Sequence, residues 1–497
     1  MSPSTDPAGP SAAATVEVAP ASTGVAAAET STPRAVGPRL YAKSRFAWIV
    51  PSPGRTGAWF GYVTAGTSVA IAGGDLDKAR TWSGSRGCKA WYRVEPRGWV
   101  CDGRDATLDS ADPAVLALAD DAPDVASPWP YRYGESTGAT RYTHLPTVAE
   151  QRSTEEAFDA WRDRVHRARA ATEPDQIAGI DKLLVGVDLT PAGVGPPQIF
   201  DPGGTVRADR DKIFRGSTVA FTRAFDADDR TFLLTSDHAI VPKDRVRPYP
   251  RSKFQGVHLG RDVSLPIAFF RKTPRPKYTR SESGEIVATG ESWPARSWVG
   301  LSGEESWTGE GPDHQRFLGT REPGIFALAD DATVVRANDK IPFAKDDAGR
   351  RSWIDISILG GWLVAYEAET PVFTTLISPG RGGLPQPGVD PIKTAATPNG
   401  TFRIDGKFRT ATMVSSTDDN LVHSEVMYVQ NFHGAHALHG AYWHDAWGEM
   451  KSGGCVNLSP IDSLWLFDWT DPKIPEGWYG LRATKDFGTP TTVVIHR

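Results

Sequence analysis

Four histidines, His433, His436, His439 and His444, fall within twelve positions shortly before Cys455. The 497-residue chain holds 11 histidines and three cysteines, so this is a local concentration. A cysteine nucleophile needs an imidazole to take its proton. It also needs N–H donors aimed at the developing oxyanion and backbone open to substrate. Ser452, Gly453 and Gly454 before Cys455 suit the last two needs. Glycines permit left-handed backbone, and successive N–H groups there can form an anion-binding concavity. The alternative is a glycine turn beside a buried cysteine. Zinc could also use three imidazoles and a thiolate. On one strand, however, His436 would point away from His433 and His439, and paired short-loop ligand spacing is missing. No metal is assigned. A papain-like arrangement is disfavoured because its cysteine precedes its histidine in the chain.

The elements that must position these groups begin at Trp353. Ile354, Ile356 and Ile358 alternate with Asp355 and Ser357, Gly360 and Gly361 turn the chain, and Trp362–Glu367 returns, which predicts a hairpin. Val372–Ser378 continues the sheet into a glycine-rich loop at 380–389. Further strands are expected at Gly400–Ile404 and Val426–Val429. The unit 352–497 is mostly β and long enough for its own core.

His439-Gly440, followed sixteen positions after the histidine by Cys455 in Ser452-Gly453-Gly454-Cys455-Val456-Asn457, resembles the signature of YkuD-family L,D-transpeptidases. Thr397–Ile404 resembles the strand entry of that family, and Ser459–Leu466 its post-cysteine helix start. The resemblance implies a catalytic β-sandwich over 352–497. Cys455 would be the nucleophile and His439 the general base and acid, with the Gly440 carbonyl orienting the imidazole. The N–H groups of Gly454 and Cys455 would form the oxyanion hole. Trp443 and Tyr442 would line the acyl-donor groove. Ser452 and Asn457 would hold the loop, and Asp445 would be a surface residue. One departure stands out: the family has histidine where this chain has Gly453, and His444 or His436 is the candidate to compensate. The implied reaction is attack on a peptidoglycan stem peptide, loss of D-Ala, a thioester, and resolution by an acceptor. An amine on a second stem gives a 3→3 crosslink, water gives an L,D-carboxypeptidase, and a protein lysine gives an anchoring enzyme. An inactive wall-binding protein is the remaining alternative. No cofactor is implied, and carbapenems are expected to acylate the thiol.

Upstream, Phe46–Val50, Ala58–Val63, Thr67–Ala72, Ala90–Val94 and Trp99–Gly103 read as short strands bounded by turns. This 38–107 segment resembles a bacterial SH3-like domain, which would set Cys88 beside Cys101 for a disulfide. Such a bridge belongs to an oxidising compartment, hence the periplasm or cell envelope. Residues 108–350 are expected to be β-rich with one helix near 153–171, opened by a capping box at Ser153–Glu156. The basic cluster Arg271–Lys277 reads as a proline-rich loop. Residues 1–36 read as a disordered Ala/Pro/Ser/Thr-rich tether. They carry no secretory leader, so the true start is expected further upstream.

Composition agrees with a mainly β protein. With 49 Gly, 39 Pro and 49 aromatic residues it has turns and core material. A net charge of −5 gives no reason to expect nucleic acid as a partner. No apolar run is long enough for a transmembrane helix.

Overall fold

Seven strands form the sheet that matters for the site. In chain order they are β1 (Ala47–Ile49), β2 (Gly61–Val63), β3 (Gly406–Val414), β4 (Val422–His433), β5 (His436–Gly440), β6 (Val456–Leu458) and β7 (Gly480–Arg482). Their spatial order is β1-β2-β7-β3-β4-β5-β6. The β5–β6 pairing is parallel and the others are antiparallel. The computed structural model describes residues 37–54, 57–82, 87–170, 212–309, 314–340, 342, 351–415 and 421–497. The segment read as a tether, 1–36, lies outside the described residues.

A second sheet of six strands contains the expected hairpin, Ser352–Ser357 paired with Trp362–Glu367, together with Thr370–Leu376, Gly400–Arg403, Thr492–His496 and Val257–His258. Helix α1 (Pro460–Trp469) packs with both sheets. One fully buried cluster joins Ile354, Ile356 and Leu363 of the six-stranded sheet, Leu438, Val456 and Leu458 of the site sheet, and Leu466 of α1. This is sheet-on-sheet packing with a shared apolar interior. Ser459 starts α1 by accepting the Asp462 N–H at 3.1 Å, and Pro460 takes the first helical position, where no donor is missed.

The other face of the hairpin is covered as well. Trp353, Val364 and Tyr366 pack against Phe254, Ile267, Phe269 and Val335. Asp355, which alternates with the isoleucines, is therefore completely buried. Its carboxylate meets His496 Nε2 at 3.1 Å and accepts from Asn338 Nδ2 at 3.1 Å, as a buried charge requires.

The strands expected over 38–107 are present, and a disulfide joins Cys88 to Cys101. Their apolar interior includes Trp478 and Leu481, and β2 pairs directly with β7. Pro38–Arg497 accordingly forms one compact unit. Two readings need correction. The single helix near 153–171 is two helices, Val148–Thr154 and Phe158–Ala170, and a further helix spans Pro113–Ala119. The capping box belongs to Thr147 and Glu150. Ser153 instead donates to the Glu150 carbonyl in the last turn of its helix. The break follows because Glu155 is drawn into a buried pair with Arg230 (2.8 Å) and Ala157 takes φ +55°. The basic cluster at 271–277 is also divided: Arg275–Arg280 is a strand, while Arg271 donates to Gly360 O at 2.9 Å.

Candidate active site

Cys455 is the last residue before β6 and is half-buried. The parallel β5–β6 pairing sets His439 opposite Asn457, two positions beyond the cysteine. The loop carrying the cysteine is tied on several sides. Ser452 Oγ accepts the Gly454 N–H at 3.0 Å and donates to the Cys455 carbonyl. The Arg381 N–H reaches Ser452 O at 2.9 Å. Asn457 and Ser378 exchange both backbone hydrogen bonds, at 2.9 and 3.0 Å. Thr397, in the strand-entry motif, accepts the Gly380 N–H at 2.8 Å and points its hydroxyl at Cys455 O, 3.5 Å away.

The imidazole of His439 is almost fully buried, and its Nδ1–H donates to the Gly440 carbonyl at 3.0 Å. That bond fixes the tautomer and leaves the Nε2 lone pair free to accept a proton. Gly440 must be glycine, since a Cβ there would meet Met427 and Ser463 at 2.5 Å. Burial pulls His439 down to about 4 and pushes the Cys455 thiol up to about 11. At neutral pH the pair is therefore an uncharged thiol and an uncharged imidazole.

His439 and Cys455 line one cleft of about 1710 Å³, together with Trp443, Ser452, Gly453 and Asn457. His436 lines it too, which overturns the picture of His433, His436 and His439 on one strand. His433 closes β4 and His436 opens β5, with their rings 6.1 Å apart across the hairpin. The His436 ring occupies the space beside Gly454: a Cβ on that glycine would lie 3.0 Å from His436 Nε2 and from Ala396 O. Gly454 also has φ +128°, where side chains are strained.

Other assignments are corrected. Tyr442 does not line the groove. It is buried, stacks on Tyr133 at 3.8 Å and hydrogen-bonds Thr218 Oγ1 at 2.6 Å. His444 turns to Asn457 (3.1 Å) and Trp447 (ring centroids 4.8 Å apart), and burial pulls it to about 4. It supports Asn457 instead of facing substrate. The Gly454 N–H already donates to Ser452 Oγ, so it is not free for the oxyanion role expected of it. Asp445 is more than a surface residue, pairing with Arg296 at 2.7 Å and accepting from Trp447 Nε1 at 2.6 Å. Among the described residues no group of three His, Cys, Asp or Glu side chains is placed to hold a metal.

The sequence model for the L,D-transpeptidase catalytic domain of the YkuD family matches residues 351–495. Residues 351–495 are a YkuD L,D-transpeptidase catalytic domain. Solved structures similar to the chain include an L,D-transpeptidase from Xylanimonas cellulosilytica, at 22% identity over 30% of this chain and 62% of that one, TM-score 0.21. L,D-transpeptidase 3 from Mycobacterium tuberculosis is 15% identical over 45% of this chain and 79% of that one, TM-score 0.23. The catalytic domain of the Enterococcus faecium L,D-transpeptidase is 19% identical over 30% of this chain and 100% of that one, TM-score 0.22. The chain thus spans 62% of the length of the Xylanimonas structure it matches. No curated protein sequence matches it. The L,D-transpeptidase domain supplies β3 to β7 of the site sheet, and residues before it supply β1 and β2.

The cleft also contains residues that the motif alone does not reveal. Trp48, Trp59, Tyr62 and Arg141 lie far upstream yet line the same cavity as Cys455. The spacing of Phe46, Trp48 and Tyr62 on short strands was the available signal. It reads equally well as core until the partner strands are known.

Proposed function

We propose that the protein is a peptidoglycan L,D-transpeptidase of the cell envelope. The observation that carries this reading is the His439 Nδ1–H bond to Gly440 O (3.0 Å) in the cleft that holds Cys455. It presents a neutral Nε2 as base within an L,D-transpeptidase domain. Cys455 Sγ attacks the carbonyl before the terminal D-Ala of a stem peptide while His439 Nε2 takes the thiol proton. The Cys455 N–H meets the developing oxyanion. The C–N bond breaks, His439 returns the proton to the departing amine, and a thioester remains. An amine on a second stem then attacks the thioester and yields a 3→3 crosslink. Water in its place would make the protein an L,D-carboxypeptidase. His436, packed beside Gly454, stands in for the absent side chain at Gly453 as a positioning residue. The disulfide agrees with an oxidising compartment, and no described helix is long and apolar enough to cross a membrane.

The test is intact mass measurement after incubation with a disaccharide-tetrapeptide and, separately, a carbapenem. The wild type should gain a covalent adduct, with D-Ala released from the muropeptide, and Cys455→Ala should gain none. A folded wild type with a titratable thiol and no adduct from either compound would sink the reading.

A further inference from the structure

We propose that Phe46, Trp48 and Trp59 form a sugar-binding platform at the far end of the catalytic cleft, made for the pyranose rings of a glycan strand. This rests on the peptidoglycan reading above and adds the second half of the substrate to it.

The argument begins with register. Trp48 pairs with Tyr62, Tyr62 with Gly480, Gly480 with Phe408 and Phe408 with Val429. Directly opposed residues share a face of the sheet, so these side chains form one row from β1 to β4. His439 lies on the next strand, β5. Trp48, Tyr62, Phe408, Val429, His439 and Cys455 all line the single cleft, so its floor is continuous. Gly480 keeps it so. A Cβ there would sit 2.3 Å from the Tyr62 ring and 2.8 Å from the Phe408 ring, whose centroids lie 6.3 Å apart across it.

Distance decides what reaches the platform. Five strand spacings separate β1 from β5, about 24 Å along the sheet. A stem peptide reaches its third residue in at most about 11 Å. The aromatic end therefore lies about 13 Å beyond the reach of the stem, a gap that further sugars of the same strand would span.

The chemistry fits that occupant. Phe46 is 36% and Trp48 42% exposed, and with Trp59 they form a contiguous patch rather than isolated rings. Phe46 and Trp48 stack with centroids 5.2 Å apart and planes 13° apart, and Trp59 follows 5.3 Å from Trp48. Pyranose rings present C–H groups on their faces and hydroxyls at their rims. The ring faces match the first, and Arg482, 6.0 Å from Trp59, offers donors for the second, while Arg45, 5.5 Å from the Phe46 centroid, is held by Glu425. An extended peptide would pair with a strand edge, whereas these rings stand on the face of the sheet.

The test uses the full chain and glycan strands stripped of stem peptides, with chitohexaose as a second probe, by calorimetric titration. Wild type should bind both. Trp48→Ala and Trp59→Ala should each weaken binding about tenfold, as an aromatic anchor does. Trp307→Ala, an exposed tryptophan on another sheet, should bind as wild type. Should Trp48→Ala fail to fold, Phe46→Ala takes its place. The platform is overturned if wild type does not bind stripped glycan, if the platform variants bind like wild type, or if free stem peptide competes for the site. No chemistry enters this binding. Glycan binding without a carbapenem adduct would overturn only the transpeptidase reading, and an adduct without glycan binding only the platform.

Discussion

The two ends of the site sheet are built differently. Around Cys455, Ser452 accepts from Gly454, Thr397 accepts from Gly380, Ser378 and Asn457 exchange backbone hydrogen bonds, and His439, bonded to Gly440 O, is almost fully buried. At the β1 end, Phe46 and Trp48 stand partly in water and touch chiefly other rings. Acyl transfer needs a lone pair and a thiol held to a fraction of an ångström, which demands that rotamers be locked from behind. Stacking against a flat face tolerates small adjustments and needs exposure. One sheet can therefore serve both tasks if burial falls off along its width.

The sharpest break of this comparison is at the base. His439→Ala should slow carbapenem acylation by about 10²–10⁴, the usual worth of a positioned general base, read as adduct formation by mass. A loss under tenfold would mean that the tight end is not tight for chemistry. Next comes a pair of tryptophans. Trp447, 2% exposed, should cost about 3–5 kcal/mol on change to alanine. Trp48→Ala should stay within about 0.5 kcal/mol. Urea unfolding of both variants measures the difference, and equal losses would erase the contrast. Ser452→Ala removes the hydroxyl between the Gly454 N–H and the Cys455 carbonyl. It should cost about 1–3 kcal/mol and slow acylation more than any substitution of the rings.

A pH profile sharpens the same point. His439 is held at about 4 and Cys455 at about 11. As pH falls through about 4 the imidazole gains its proton and can no longer accept the thiol's, so acylation should fall there and stay level between the two values. An acid limb near about 6.5, the ordinary histidine value, would mean a solvated imidazole. The smallest effect is expected at Gly453. A Cβ there meets nothing within 4 Å, and its backbone is not left-handed. Gly453→His should therefore fold with stability within about 0.5 kcal/mol of wild type. Its acylation rate, compared with that of His436→Ala, reports how far His436 already fills that role.

Much of the catalytic end was legible. Alternating apolar residues located the hairpin at 352–367, and Ser459-Pro460 located the start of α1, because strand alternation and helix caps are local rules. The Cys455, His439 and Gly440 set was legible for a similar reason: its spacing is fixed by two adjacent strands and their connecting loop. The misreadings share one cause. Tyr442, His444 and Asp445 sit beside the motif in sequence, but which way each turns depends on Tyr133, Asn457 and Arg296, which arrive from elsewhere in the chain. The helix break at Glu155 was hidden likewise, since Arg230 lies far along the chain.

By itself the sequence determined a mainly β chain with a cysteine, a histidine and the glycines beside each, because these follow from residue type and short spacing. Only the tertiary structure decided that burial pulls His439 down and pushes the Cys455 thiol up, since that depends on what packs around each. It also decided that strands from residues 47–63 extend the catalytic sheet. That depends on the pairing of β2 with β7, more than 400 positions apart in the chain, and no local pattern encodes a partner at that distance.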